Sequence, residues 1–447
     1  MQDEAVRSVV CRPFQRSPSE APGVAASAKD QAILRQQDDE ASGTLNVHWP
    51  RCKSLAGAAF ALSLGWGVAA CAYPGRLDPA PEAAASKGAF HGIANARFYG
   101  DKDAALMAAE GVRALEREQA YLRRSGHPGP LPTANYLALS GGGDDGAFGA
   151  GVLVGWTAHG TRPNFKLVTG ISTGALGAPF AFLGPEYDAA LAEVYTKTTQ
   201  ADVFTKRLII AAVTDDALTD TAPLYQTISR YLDDRMLRRI GQEYDKGRLL
   251  LIATTDLDLG KPVIWNIGAI AKSGDPNSLE LVKNILVASA SIPGVFPPVM
   301  FDVQADGQSF QEMHVDGGAT AQAFLYPPTV MVRRIGGLQR RRVAYIIRNG
   351  RLSPPSETVQ RQTLSIAKRA VATLIASNGV GDLYRMYATT KRDGVEFNLA
   401  YIDADFREDY AGPFDQTYMG KLFDYGRLQA QSGYRWRKGP PGIGGAS

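Results

Sequence analysis

The chain has 447 residues, of which 45% are hydrophobic and 21% charged, and a formal net charge of +3. That length allows about two or three domains and a large core. The charge is spread evenly, which gives nucleic-acid binding no support from composition. The three cysteines, Cys11, Cys52 and Cys71, all lie before residue 72, so the rest of the chain can hold neither a disulfide nor a thiol nucleophile.

Residues 1–50 are polar, rich in Ala, Ser, Gln and Asp, and show no apolar period; they read as a disordered or mis-started leader. Arg51 and Lys53 then precede an uncharged stretch, Ser54–Ala70, that closes on Val68-Ala69-Ala70-Cys71. A basic flank, an apolar run and small residues at its end are the layout of a signal segment over 51–71. The run is short for a membrane span. Its end resembles a bacterial lipobox, which implies acylation of Cys71 and a lipid-anchored protein of the bacterial cell envelope. A translation start near Val47 would give that leader an ordinary length. The competing reading is a buried Ala-rich helix with a chance cysteine.

Residues 72–134 read as a Pro/Ala-rich tether (72–89) followed by a helix over 101–124, with Ala105, Leu106, Ala109, Val112 and Leu115 on one stripe. From Tyr136 onward, strand-like runs alternate with helical patterns. The runs are 136–140, 165–169, 249–253, 263–265, 343–347 and 395–402; the helical patterns fall near 223–240, 279–290 and 357–390. This alternation predicts an α/β fold, a three-layer α/β/α sandwich with a mostly parallel central sheet. The apolar residues of 196–222 (Val203-Phe204, Leu208-Ile209-Ile210) suit either a lid or the core. The basic cluster Arg333, Arg334 and Arg340–Arg342 reads as a solvated loop or a contact for anionic headgroups.

Two segments carry chemistry. Strand-like Tyr136–Ser140 runs into Gly141-Gly142-Gly143-Asp144-Asp145-Gly146 and then a helix start. Such a turn presents free N–H groups and the positive helix end to a phosphate or an oxyanion. The glycines fit G-x-G-x-x-G, but no Asp or Glu follows between Gly146 and Pro185 to hold a ribose, so the oxyanion reading is preferred. Downstream, Gly170-Ile171-Ser172-Thr173-Gly174 sits between a strand and a small-residue helix start, the context of a nucleophile elbow. Few bases follow it. His314 is the sole histidine after Ser172, and Asp316-Gly317-Gly318 stands beside it.

Together these blocks resemble the patatin-like phospholipase family, bacterial lipoprotein-type members in particular. A fourth stretch, Ala288-Ser289-Ala290-Ser291-Ile292-Pro293-Gly294-Val295-Phe296-Pro297-Pro298, is also similar to that family. The resemblance spans 135–330 and leaves 331–447 as a C-terminal helix and strand extension packed on the core. It implies a serine esterase cleaving phospholipid or related acyl esters with a Ser172–Asp316 dyad. Gly141, Gly142, Gly143 and Gly146 would form the oxyanion hole, with Gly170, Gly174, Gly317 and Gly318 as motif glycines. No metal or organic cofactor is needed, and no metal-ligand spacing appears among the histidines. The implied partners are a lipid or acyl-ester substrate and a membrane surface reached through the anchor, with no nucleic acid. The family usually carries Arg or Lys where Asp145 stands; Asp144 and Asp145 are expected to face solvent or cap the next helix. Two alternatives stay open: a triad of Ser172, Asp256 or Asp302, and His314, and a non-catalytic envelope lipoprotein that uses the fold as a scaffold.

Overall fold

The structure, a computed structural model, describes residues 75–443 except 83–88, 101, 128, 207–218, 338–339 and 354–357. The leader, the signal segment and Cys71 lie outside the described residues, as do Leu208-Ile209-Ile210. Among the described residues no helix is long and apolar enough to cross a membrane.

In chain order the strands are β1 (Arg97–Tyr99), β2 (Ala134–Leu139), β3 (Leu167–Gly170), β4 (Thr205–Lys206), β5 (Thr219–Asp220), β6 (Leu249–Asp256), β7 (Lys261–Asn266), β8 (Val299–Ala305), β9 (Gln308–Asp316), β10 (Arg342–Arg348) and β11 (Glu396–Tyr401). The longer helices are α1 (Ala104–Arg124), α2 (Gly146–Ala158), α3 (Thr173–Leu183), α4 (Asp188–Lys197), α5 (Ala222–Tyr231), α6 (Asp234–Asp245), α7 (Ile267–Lys272), α8 (Ser278–Ala290), α9 (Thr363–Asp393) and α10 (Gln416–Gln431). The helical pattern near 223–240 is two helices, α5 and α6. Leu232 has extended backbone, and the Asp233 carboxylate caps α6 by accepting the Met236 N–H.

The main sheet runs β1-β7-β6-β3-β2-β10-β11, with β9 pairing β6 and β8. Its centre, β6-β3-β2-β10-β11, is parallel, and the β1-β7-β6 side is antiparallel. Side chains alternate across it. Leu137 and Leu139 join the layer that contains α2, α3 and α8, whereas Tyr136 and Ala138 join the layer that contains Met107 of α1 and Leu383 and Met386 of α9. The result is the α/β/α sandwich expected from the strand–helix alternation.

Two segments are more deeply built in than their composition suggests. Residues after 330 do not lie on the core as an extension; they supply β10 and β11 of the same sheet. The N-terminal tether is docked where it is described. Arg76 makes a two-pronged ion pair with Asp258 (2.9 and 2.7 Å), and Ala80 is buried; past the tether's end, Phe90, Ile93 and Ala96 are buried too. Arg97 of β1 is 2% exposed and forks onto Glu312 of β9. A buried cation of this kind is held by a bidentate carboxylate partner.

The register of β6 brings distant parts of the chain together. β3 pairs with its first half and ends at Gly170 opposite Ile252; β9 pairs with its second half and ends at Asp316 opposite Thr254. The two partners differ from the neighbour of β6 on its other side, β7, which pairs along 251–256. Two residues along a strand are roughly 7 Å. The chain leaving β3 and the chain leaving β9 therefore emerge side by side.

Candidate active site

Ser172 immediately precedes α3, two residues past the end of β3, with φ 55° and ψ −128°. This is backbone that a side chain adopts at a cost of about 1–3 kcal/mol and keeps only when its surroundings enforce it. The flanking glycines make the turn possible by close approach. A Cβ at Gly170 would meet Gly174 O at 2.5 Å, and one at Gly174 would meet Leu139 O at 2.3 Å. The backbone is fixed from a third side by α8. The Ser172 N–H donates to Ser289 Oγ (3.1 Å), which in turn donates to Ala253 O of β6 (2.7 Å).

Asp316 ends β9 and is 4% exposed. Its N–H donates to Ser291 O (2.8 Å), so a single stretch, 289–291, holds the backbones of both Ser172 and Asp316. Its carboxylate accepts the Gly318 N–H (2.7 Å) and lies close enough to the Ser172 side chain to be influenced by it. Burial pushes this carboxyl up to about 7, against the lowering influence of the nearby Ser172 side chain and the Gly318 N–H. A Cβ at Gly317 would meet Ala253 O at 2.6 Å, so glycine is what lets the Asp316 turn lie against β6.

The Gly-rich loop closes the third side. A Cβ at Gly141 would come within 3.2 Å of Ser172 Cβ, and one at Gly142 would meet Asn349 O at 1.9 Å. Asn349 anchors the loop, donating from Nδ2 to Ser140 O (2.8 Å) and accepting the Gly149 N–H at Oδ1 (3.1 Å). Not all four loop glycines offer a donor. The Gly141 N–H is taken by Gln322 O (2.9 Å), and the Gly146 N–H by carbonyls of the preceding 3-10 turn. Gly146 matters for space instead, since a Cβ there would meet Thr173 Oγ1 at 2.2 Å. Among the described residues, the N–H groups of Gly142, Gly143 and Thr173 carry no protein partner. A strained serine, a buried carboxylate with an affinity for protons near neutrality and three open N–H groups are the parts needed for acyl transfer.

His314 is not among those parts. It is fully buried, with Nδ1 paired to Thr254 Oγ1 (2.9 Å) and Nε2 to Glu312 Oε2 (3.3 Å). None of the described hydrogen bonds joins it to Ser172. Asp302 is exposed and bonds Gln311, and Asp256 accepts from Tyr99 Oη (3.1 Å) and from the Asp258 and Leu259 N–H groups. The fold does bring Asp256, Glu312 and His314 within 4.8 Å of one another. Arg97 already forks onto Glu312, however, and both ring nitrogens of His314 are engaged, so the group is a closed hydrogen-bond network. Burial raises the Glu312 carboxyl, but His314 and Arg97 outweigh that and hold it at about 2.

Asp144 and Asp145 neither face solvent nor cap α2. Asp145 Oδ1 accepts from Tyr418 Oη of α10 (2.8 Å), and Asp144 Oδ2 accepts the Phe414 N–H (3.0 Å). Burial pushes Asp145 up to about 7, with Asp144 adding to the rise and Arg351 and Arg348 opposing it. The two guanidinium groups supply positive charge here where the resemblance places a loop cation. Of the basic cluster, Arg340 is largely buried on Glu118 (2.9 Å) and so is not part of a solvated loop, whereas Arg341 is exposed and pairs with Glu396 (2.8 Å). Val203 and Phe204 are buried, and Phe204 packs on Phe296 and Phe414, which makes them core.

Residues 137–327 match the family model described as Patatin-like phospholipase, so the chain carries a patatin-like phospholipase domain over that span. No curated protein matches the sequence. Among solved structures, the chain is similar to the crystal structure of VipD from Legionella pneumophila, at 12% identity over 68% of each chain and a TM-score of 0.28. A likeness that loose carries no argument.

Proposed function

From this domain and the geometry of its site, we propose that the protein is a serine hydrolase of lipid acyl esters working through a Ser172–Asp316 dyad. The observation that carries the proposal is the buried Asp316 carboxylate beside the side chain of a serine on a strained elbow. Asp316 takes the Ser172 proton as Oγ attacks the ester carbonyl. The carbonyl oxygen becomes an oxyanion held by the N–H groups of Gly142, Gly143 and Thr173. Collapse breaks the ester C–O bond, and the proton on Asp316 passes to the leaving alcohol. A water then gives its proton to Asp316, attacks the acyl-Ser172 carbonyl and releases the fatty acid, returning the proton to Ser172. A carboxylate is ordinarily a weak base toward a hydroxyl; burial is what raises the proton affinity of Asp316 toward the working pH.

The test is covalent labelling with a fluorophosphonate together with hydrolysis of p-nitrophenyl acyl esters. Wild type should label at Ser172 and hydrolyse the esters, and Ser172→Ala should do neither. Labelling elsewhere, or residual activity within roughly tenfold of wild type in Ser172→Ala, rejects the proposal. Asp144 and Asp145, two carboxylates beside an anion site, are the feature that favours the scaffold alternative; they pair with the Phe414 N–H and Tyr418, close to Arg348 and Arg351.

We also propose that Cys71 is the lipid-modified first residue of the mature protein and anchors it in the bacterial envelope, beside its substrate. The support is the basic flank, apolar run and lipobox-like end at 51–71. Mass spectrometry of protein from its native membrane should find a diacylated Cys71 at the N-terminus. A Cys71→Ser variant that stays membrane-bound contradicts the anchor.

A further inference from the structure

A cavity opens in the layer opposite Ser172, at the other end of the strands. It has about 100 Å³ of space for the centres of water-sized molecules. Its walls are apolar: Met107 and Leu115 from α1, Leu167 and Leu251 from the sheet, Leu325 and Val330 from the chain that follows Asp316. All six of these side chains are buried, so the apolar wall belongs to the core layer. β3 separates it from the nucleophile. Leu167 lines the cavity, and the strand then runs through Gly170 to Ser172, five residues or roughly 15 Å away.

One end is charged, and the charge is not balanced. Lys166 and Arg340 both line the cavity, and both pair with the same carboxylate, Glu118, at 2.7 and 2.9 Å. Lys166 also donates to Ala114 O (3.1 Å). Burial pushes the Lys166 ammonium down to about 8, while Glu118 opposes that shift and the Arg340 and Arg117 guanidinium groups add to it. A second anion at this end would relieve the excess of cations. Tyr326 lines the same space, and its buried hydroxyl has no hydrogen-bond partner within reach. Burial raises the phenol, and Asp393 adds to the rise without a hydrogen bond to it.

An apolar cavity of this kind stays dry and takes apolar guests. At about 10–15 Å³ per water centre, it has room for roughly seven to ten water-sized units, about one medium acyl chain. We propose that this cavity is a second binding site, separate from the catalytic one, for a single-chain fatty acid, with its tail against α1 and the sheet and its carboxylate on Lys166 and Arg340. The proposal does not depend on Ser172 being a nucleophile. A fatty acid can reach it from the surrounding lipid pool or as a product of this protein's own site; the chemistry recognised is the same.

The test is calorimetric titration of the full chain with hexanoate, octanoate and decanoate, and with decanol as the uncharged control. Affinity should rise roughly fourfold per added CH₂ while the chain still fits, at a stoichiometry of one. Two variants locate the site. Ala114→Met puts a larger side chain into the cavity from α1 and should weaken decanoate at least about tenfold, because the displaced guest loses two or more methylenes of contact. Lys166→Met keeps the volume, removes the cation, and should weaken decanoate about tenfold while leaving decanol unchanged. Neither residue belongs to the catalytic machinery, so ester hydrolysis should be unaltered in both. Absence of saturable decanoate binding in wild type, or equal binding of decanoate in Ala114→Met, overturns the proposal. So does a Lys166→Met effect that is the same for decanoate and decanol. Should Lys166→Met fail to fold, the comparison of decanoate with decanol in wild type takes its place; equal affinity there also overturns the carboxylate assignment. Mass spectrometry of lipid extracted from purified wild type and Ser172→Ala then separates the sources. Fatty acid carried by both comes from the lipid pool, and fatty acid carried by wild type alone is its own product.

Discussion

Ser289→Ala removes one hydroxyl and tests whether the elbow is held in its strained form from outside. Ser289 Oγ is the acceptor for the Ser172 N–H and the donor to Ala253 O, and Ser289 is fully buried. Alanine fits the space but leaves a buried N–H and a buried C=O without partners. Leaving a buried polar group unpaired costs about 1–3 kcal/mol. That is comparable to the roughly 1–3 kcal/mol stored at the φ 55° conformation of Ser172. The two terms act on the same residue, so relaxation of the elbow is the expected response. A nucleophile displaced by about 1 Å loses on the order of 100-fold in rate. The expected result is kcat for a p-nitrophenyl ester down about 10- to 100-fold, equivalent to roughly 1.4–2.8 kcal/mol in the barrier, with KM within about twofold. Fluorophosphonate labelling should still go to completion, only more slowly, which separates a misplaced nucleophile from an unfolded fraction. Ser291→Ala is the control. Ser291 is as buried, but its hydroxyl only bonds Val287 O, and the carbonyl that holds Asp316 belongs to its backbone and survives the substitution. A Ser289→Ala enzyme with kcat within about twofold of wild type, or a Ser291→Ala enzyme equally impaired, refutes this account.

Asp316→Asn should cut kcat nearly as far as Ser172→Ala, and wild-type kcat/KM should rise with pH through an acid limb near 7, where the buried carboxyl ionises; a limb near 4 would contradict its role as base. Because its folded pKa lies above the ordinary 3.8, the folded state holds the proton more tightly, so this contribution to stability is full below about pH 4 and is lost as pH rises through 7. Asp316→Asn should therefore melt at higher temperature than wild type at pH 8 by an amount that shrinks toward pH 4. His314→Ala should lower thermal stability, since Glu312 and Thr254 lose a buried partner, yet keep serine labelling; loss of labelling in a folded protein would restore a triad. Asp145→Arg should destabilise the protein by a few kcal/mol, because it breaks the Tyr418 bond and puts a third cation beside Arg348 and Arg351, whereas Asp145→Asn keeps an acceptor and should be mild. The expectation of a solvent-facing Asp145 forecasts the reverse, an Arg variant that is tolerated or more active, and the melting curves of the two variants decide between them.

What the sequence determined by itself is local. A strand, a turn forced through glycine and a helix start are contiguous in the chain, and the need for glycine comes from backbone packed within 2.6 Å of where a Cβ would stand at Gly170, Gly174 and Gly317. Those motifs were legible, and so was the α/β alternation, because burial on both faces of a sheet imposes a pattern on consecutive residues. Asp144 and Asp145 show the limit. Their neighbours in sequence are glycines, and nothing in those neighbours announces Tyr418 or Phe414, which come from the far end of the chain. The partner of buried Arg97 is Glu312, 215 residues further along the chain, and nothing near Arg97 in sequence announces it. The donor set of the Gly-rich loop was likewise undecidable in one dimension, since four glycines offer equivalent N–H groups and only the position of Gln322 O removes that of Gly141. Tertiary structure alone decided that Ser172 and Asp316 meet, because both flank one edge of β6, and that burial raises the carboxylate toward 7. Proximity across a sheet and the removal of water are properties of many chain segments at once, and neither is written in the residues they act upon.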